Sequence, residues 1–236
     1  MVSIVIKNWD NKNWLSSKEY IRSFNKFLIS QIKLNSNSKI LDIGCGRGKI
    51  LGNLSSNLKL KKKPLGIDII DHKDRDKRIK FKKVSGLSFF LKKKYKFDLI
   101  LIKQTIHLFN LKQIKKLLDL SKKNLNQNGK IFIFALDTYR NELPTFDLMK
   151  KKLTKSLKRD KKIQNFISEI YSIKKKKRFT YNVKISKKNY LRMIKKRYIS
   201  ILLTLSEEEI SKGIKEINSR YGNFLRFMDK LTCVVL

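Results

Sequence analysis

Two cysteines, Cys45 and Cys233, are all that the 236 residues contain. They offer neither a disulfide framework nor a Cys-x-x-Cys metal pattern, and such sparse thiols fit a reducing, cytoplasmic setting. Histidine is as scarce, with two residues, and no His/Cys/Asp cluster has the spacing of a metal site, so no metal is expected. Long apolar runs are missing too. Nothing approaches the roughly 18 residues of a membrane-spanning helix, and the stretch Met1-Val-Ser-Ile-Val-Ile-Lys7 is too short for a signal peptide. The expectation is a soluble protein with no membrane span.

Acids are the other shortage: 19 Asp and Glu stand against 57 Lys and Arg, a net charge of +38. So basic a surface ordinarily suggests a polyanionic partner. Yet only 11 of the 57 are arginine, whose planar fork is the better phosphate ligand. Lysine, asparagine and isoleucine are abundant together, the bias that an AT-rich coding sequence produces without selection for binding. The charge is nevertheless uneven, because residues 150–197 hold 20 Lys or Arg against Asp160 and Glu169 and include the run Lys174-Lys-Lys-Lys-Arg178. That segment leaves nucleic acid open as a partner.

With 41% hydrophobic residues the chain can bury a proper core, and one domain over 1–236 is expected. Ser17 caps a predicted helix in which Tyr20, Ile21, Phe24, Phe27, Leu28 and Ile32 recur at three and four. Residues 71–78 have no apolar face, which predicts a short helix or a loop, and Ile79, Phe81 and Val84 then give a weak strand. The run Phe97-Asp-Leu-Ile-Leu-Ile102, apolar but for Asp98, reads as a strand buried on both faces. An amphipathic helix through Leu111, Ile114, Leu117, Leu118 and Leu125 follows, then a turn at 126–129 and a buried strand at 130–135. Further on, the pattern predicts a helix within 146–173, a strand over 179–185, a helix opened by the capping box Ser206 to Glu209, and a strand at 230–236. This rhythm predicts an α/β, doubly wound sheet.

Residues 40–48 read Ile-Leu-Asp-Ile-Gly-Cys-Gly-Arg-Gly, an apolar strand, an acid and three alternate glycines before a helix. Such a loop lets backbone N–H groups approach a ligand with no Cβ in the way. A dinucleotide fingerprint needs its third glycine at the position of Lys49. A second apolar segment, 65–68, ends at Asp68, where an acid beside the glycine loop can accept both ribose hydroxyls of a nucleoside.

The acid followed by Gly-x-Gly-x-Gly resembles motif I of the class I S-adenosylmethionine-dependent methyltransferases, and residues 197–210 are loosely similar to small-molecule members related to trans-aconitate methyltransferase. The resemblance implies a Rossmann-like, seven-stranded, mostly parallel sheet whose reversed last strand inserts beside the fifth. It implies an N-terminal helical lid at 1–36 carrying Trp9, Trp14 and Tyr20, a cofactor-binding core at 37–140, and substrate-side helices and last strands at 141–236, with a helical insertion before the last strand. The implied cofactor is S-adenosylmethionine, leaving as S-adenosylhomocysteine, held by Asp42, Gly44, Cys45, Gly46, Gly48, Asp68, Ile69, Ser85, Gly86 and Lys103. Ser85 stands where many relatives place an acid for the adenine amino group. Gln104 and His107, directly after the fourth strand, are the expected catalytic residues, although a histidine that caps or packs at that junction fits equally. Trp14, Tyr20, Tyr139, Arg140, Arg197 and Tyr198 are the expected acceptor contacts. The implied reaction is in-line methyl transfer to a small, anionic metabolite. Two alternatives stand beside it: an RNA methyltransferase using residues 150–197, although 103–109 lack an Asn-Pro-Pro-aromatic motif, and a non-catalytic interaction subunit. The oligomeric state is not legible.

Overall fold

The computed structural model describes residues 13–92, 95–173 and 176–236; Trp9, and Lys174 and Lys175 of the basic run, lie outside them. Helix α1 (Lys18–Gln31) opens where the Ser17 hydroxyl accepts the Tyr20 N–H, and it buries Tyr20, Ile21, Phe24 and Leu28 along one face. The chain then alternates β1 (Ile40–Ile43), α2 (Lys49–Asn57), β2 (Leu65–Asp68), β3 (Lys80–Lys83), α3 (Gly86–Lys92), β4 (Phe97–Lys103), α4 (Leu111–Lys123) and β5 (Leu125–Leu136). It closes with α5 (Asp147–Ile170), β6 (Lys177–Ser186), α6 (Lys187–Lys195), α7 (Glu207–Arg220) and β7 (Phe224–Val235).

The seven strands form one sheet in the order β3-β2-β1-β4-β5-β7-β6. β1 to β5 run parallel, and β7 is antiparallel to both β5 and β6. This is the doubly wound, Rossmann-like arrangement with a reversed strand beside the fifth. Leu41, Ile43, Ile100, Ile102, Ile131 and Ile133 face α3, α4 and the second half of α5, whereas Ile40, Leu99, Leu101, Phe132 and Phe134 face α1, α2, α6 and α7. Alternate residues of each strand thus feed two cores, which is why β4 is apolar on both faces from Leu99 to Ile102.

Three local features differ from, or sharpen, the pattern. No helix joins β2 to β3; Arg47 bonds Asp74 at 2.8 Å and Asp76 binds Arg78, so charge pairs hold the connection in place of an apolar face. Residues 126–129 are not a free turn but lie inside β5, where pairing jumps from Phe97–Leu125 to Leu99–Lys130. Gly129 permits this bulge, because a Cβ there would stand 2.6 Å from the Phe97 carbonyl. β7 begins six residues before the apolar run at 230: its first half alternates exposed Phe224, Arg226 and Met228 with buried Leu225, Phe227 and Asp229. Leu136, the end of β5, pairs with Leu231, so residues 224–230 pair with β6 alone, beyond the carboxyl edge of β5. That projecting hairpin is one wall of the site.

Candidate functional site at the carboxyl edge

The glycine loop is built as its sequence demands. Gly44, Gly46 and Gly48 all have positive φ, at 77°, 53° and 68°, a region costly for residues with a Cβ. The Gly44 and Cys45 N–H groups bond the Ile67 carbonyl at 2.8 and 3.1 Å, fastening the loop to β2. Asp68 completes it: one carboxylate oxygen accepts the Gly46 N–H at 2.9 Å and the other the Ile70 N–H at 3.0 Å. Beside it Ile69 is 62% exposed, an apolar surface next to the acid.

Asp42 lies on β1 opposite Leu101 of β4, so Lys103 is two residues further along the neighbouring strand and on the same face. Asp42 is 4% exposed, and its Oδ1 has no hydrogen-bond partner. Burial pushes its carboxyl up to about 7, against the opposing pull of Lys103. An orphaned buried acceptor at the foot of a cradle lined by positive-φ glycines is what a ligand carrying N–H donors would satisfy, so these residues fit the aminoacyl and nucleoside parts of S-adenosylmethionine. The buried charge also makes a prediction. The Asp42 pKa is higher folded than unfolded, so stability falls as pH rises from about 4 to about 7. Asp42→Asn is therefore expected to raise the melting temperature of the ligand-free protein by about 3–8 °C at pH 8 and to leave it unchanged near pH 4. Melting curves at the two pH values check this.

Lys103 is partly buried. Its Nζ bonds Gln104 Oε1 at 3.0 Å and lies 5.4 and 5.6 Å from the ring centroids of Tyr20 and Phe24. Burial lowers its ammonium to about 8, opposed by the charges of Asp229 and Asp42. Gln104 has φ 52°, a left-handed backbone that its N–H bond to Phe134 O, at 2.7 Å, helps to hold. Asp229, 2% exposed on β7, accepts a bond from Trp14 Nε1 at 3.1 Å, which ties the segment before α1 to the projecting hairpin. The Tyr20 hydroxyl is buried without a partner within the field of Asp229. Asp42, Lys103, Asp229 and Tyr20 thus gather on one side of the sheet under α1. The sequence pattern missed Asp229 because it sits in an alternating strand as any inward position would.

Trp14 and Tyr198 line a groove of about 360 Å³ between the start of α1, β6 and α6. Tyr181, Val183 and Met193 add apolar wall, while Lys184, Arg192 and Lys196 add charge. Tyr20 packs edge-on against Tyr181 at 5.1 Å, so it stands between this groove and Lys103.

Other expected residues are placed differently. Arg197 bonds Leu202 O at 2.6 Å and Glu207 at 2.7 Å, so its guanidinium closes the turn after α6. Tyr139 is 68% exposed with Lys161 of α5 over its ring, and neither it nor Arg140 lines the groove. His107 Nε2 is buried without a partner; burial and the charge of Arg159 on α5 lower its pKa to about 4, so the ring is neutral at physiological pH. The Cys45 thiol turns inward against Gly66, and the Ser85 hydroxyl bonds Ser88 at the start of α3. Gly86 sits against Ile43, which a Cβ would approach to 2.9 Å. Among the described residues no group of three His, Cys, Asp or Glu could hold a metal, and no helix is long and apolar enough to cross a membrane.

Comparison with known proteins bears on the fold and the family. No curated protein matches the chain. Among solved structures, a putative methyltransferase from an antibiotic biosynthesis pathway of Anabaena variabilis superposes with TM-score 0.63 at 14% identity, over 90% of this chain and 96% of its own. A SAM-dependent methyltransferase from Geobacter sulfurreducens, in complex with S-adenosyl-L-homocysteine, gives 0.54 at 13% identity over 98% and 97%. The plantazolicin methyltransferase BpumL, in complex with a monoazolic desmethylPZN analog and SAH, gives 0.51 at 16% identity over 98% and 89%. These likenesses establish the fold. The family model for the methyltransferase domain matches residues 34–197, from the approach to β1 through α6, and with more than half of its length so matched the chain belongs to the methyltransferase-domain family.

Proposed function

We propose that this methyltransferase uses S-adenosylmethionine and transfers its methyl group to a small, anionic acceptor bound in the groove beneath α1. The cofactor, when bound, supplies a methyl carbon already activated by a positive sulfur, so positioning rather than strong catalysis is what the chain must provide. The Gly44–Gly48 loop and Asp42 hold the aminoacyl end. Asp68 keeps the loop in place and has lone pairs left for the ribose hydroxyls, while Ile69 covers the adenine. The neighbours bound to S-adenosylhomocysteine support the choice of cofactor.

One observation carries the acceptor reading: the groove is of small-ligand size, has an aromatic and aliphatic wall, and carries Lys184, Arg192 and Lys196 without an excess of acids. Trp14 and Tyr198 orient a compact ligand, and the cations meet its negative group. His107 does not line this groove, and although its ring is unprotonated at pH 7, a pKa near 4 makes it a weak base for an acceptor proton.

The test uses methyl-labelled S-adenosylmethionine with a cell extract separated into small-molecule, nucleic-acid, lipid and protein fractions. Label is expected in the small-molecule pool, and Arg192→Glu is expected to cut that transfer about tenfold or more by reversing a charge at the groove. Label in RNA would favour the lysine-rich 150–197 segment as a phosphate-tracking surface and would sink the small-acceptor reading.

A further inference from the structure

Among the described residues, Lys103 is the one cation of the groups gathered under α1, and the place the proposed function gives the cofactor puts a second positive charge beside it. Asp42 faces it from β1, Asp229 from β7 and Tyr20 from α1, and its Nζ also bonds Gln104. Phe24 of α1 lies against it as well, and Phe134 is its register partner on β5. Both carboxylates favour an ammonium here. A sulfonium arriving near Asp42 competes for the same negative charge and, in a site of low dielectric, repels that ammonium.

Resting on that reading, we infer that Lys103 surrenders its proton to solvent when the cationic cofactor binds, so that the total charge of the cluster is kept. A lowered ammonium pKa near 8 makes the neutral amine accessible at physiological pH.

The experiment measures the affinities of S-adenosylmethionine and S-adenosylhomocysteine by calorimetry between pH 7 and 9 for the wild type, Lys103→Met and Lys103→Arg. In the wild type the preference for the cationic cofactor is expected to grow with pH. Lys103→Met is expected to raise that preference about fivefold or more at pH 7, with S-adenosylhomocysteine affinity retained as evidence of an intact fold. Lys103→Arg, whose charge cannot be given up, is expected to lower the preference at every pH. If Lys103→Met weakens both ligands alike, the lysine is an anchor for the cofactor's carboxylate and the inference is overturned. An unchanged preference in both variants overturns it as well. Absence of either ligand from the wild type would instead remove the cofactor reading on which it rests, a result distinct from those two.

Discussion

Gly44→Ala is expected to abolish detectable binding of S-adenosylhomocysteine and to lower the melting temperature by roughly 5–15 °C. The residue combines φ 77° with a neighbour in the way: an added Cβ would stand 2.2 Å from Thr105 Oγ1 and 2.6 Å from Thr105 Cγ2. The left-handed backbone costs an alanine roughly 1–2 kcal/mol. Overpacking adds about 1–3 kcal/mol, and each kcal/mol shifts the midpoint of a chain this size by about 2–4 °C. Thr105 cannot step aside freely, because its hydroxyl bonds Lys103 O at 3.1 Å and its backbone leads out of β4. The double variant Gly44→Ala/Thr105→Gly separates the two causes. It removes the collision and keeps the backbone strain, so it should recover most of the melting temperature. Calorimetric binding and melting curves on both proteins check the pair. A Gly44→Ala protein that binds normally would mean that the loop does not hold the cofactor.

Asp68→Ala should weaken S-adenosylhomocysteine by about a hundredfold or more, since charge-assisted hydrogen bonds contribute about 1.5–3 kcal/mol each. Two such bonds hold the protein itself, to the Gly46 and Ile70 N–H groups. Removing the carboxylate therefore loosens the loop and the segment bearing Ile69 together, in addition to the ribose contacts. Asp68→Asn has one carbonyl oxygen to offer where two backbone donors now have one each, so an intermediate loss is expected. If Asp68→Asn binds as tightly as wild type, the ribose assignment fails, whereas an alanine effect that is absent would remove Asp68 from the cofactor site altogether.

How much of this was legible depended on how local the signal was. The strand–loop–helix at 40–57 could be read because its requirements are local: positive-φ positions need glycine, and β1 and β4 need apolar residues on both faces. The loop at 69–79 was also legible, from its lack of any apolar face. Residues 126–129 misled because Asn-Gln-Asn-Gly has turn chemistry whether it connects elements or bulges within one. The site divides the same way. The glycine loop and Asp68 announce themselves by spacing, but the association of Lys103 with Asp229, 126 residues later, follows from β7 inserting next to β5 and from nothing in either neighbourhood. Arg197 was a natural candidate anion ligand by residue type, and the carbonyl of Leu202 that takes its bond is invisible until the turn is folded.

The placement of β7 has a consequence for the order in which the molecule can assemble. Every other strand precedes it in the chain, yet it sits between β5 and β6. Before it docks, β5 is an open edge of an otherwise complete five-stranded parallel sheet, and among the described strands β6 has no hydrogen-bonded neighbour. Unpaired edges of that kind invite pairing with other chains. The same event brings Asp229 to Trp14, 215 residues away, so the cover over the cleft closes only when the sheet does. A nascent or partly unfolded chain is therefore at its most adhesive while it is still incapable of holding both halves of its site, and the final strand removes both deficiencies at one stroke.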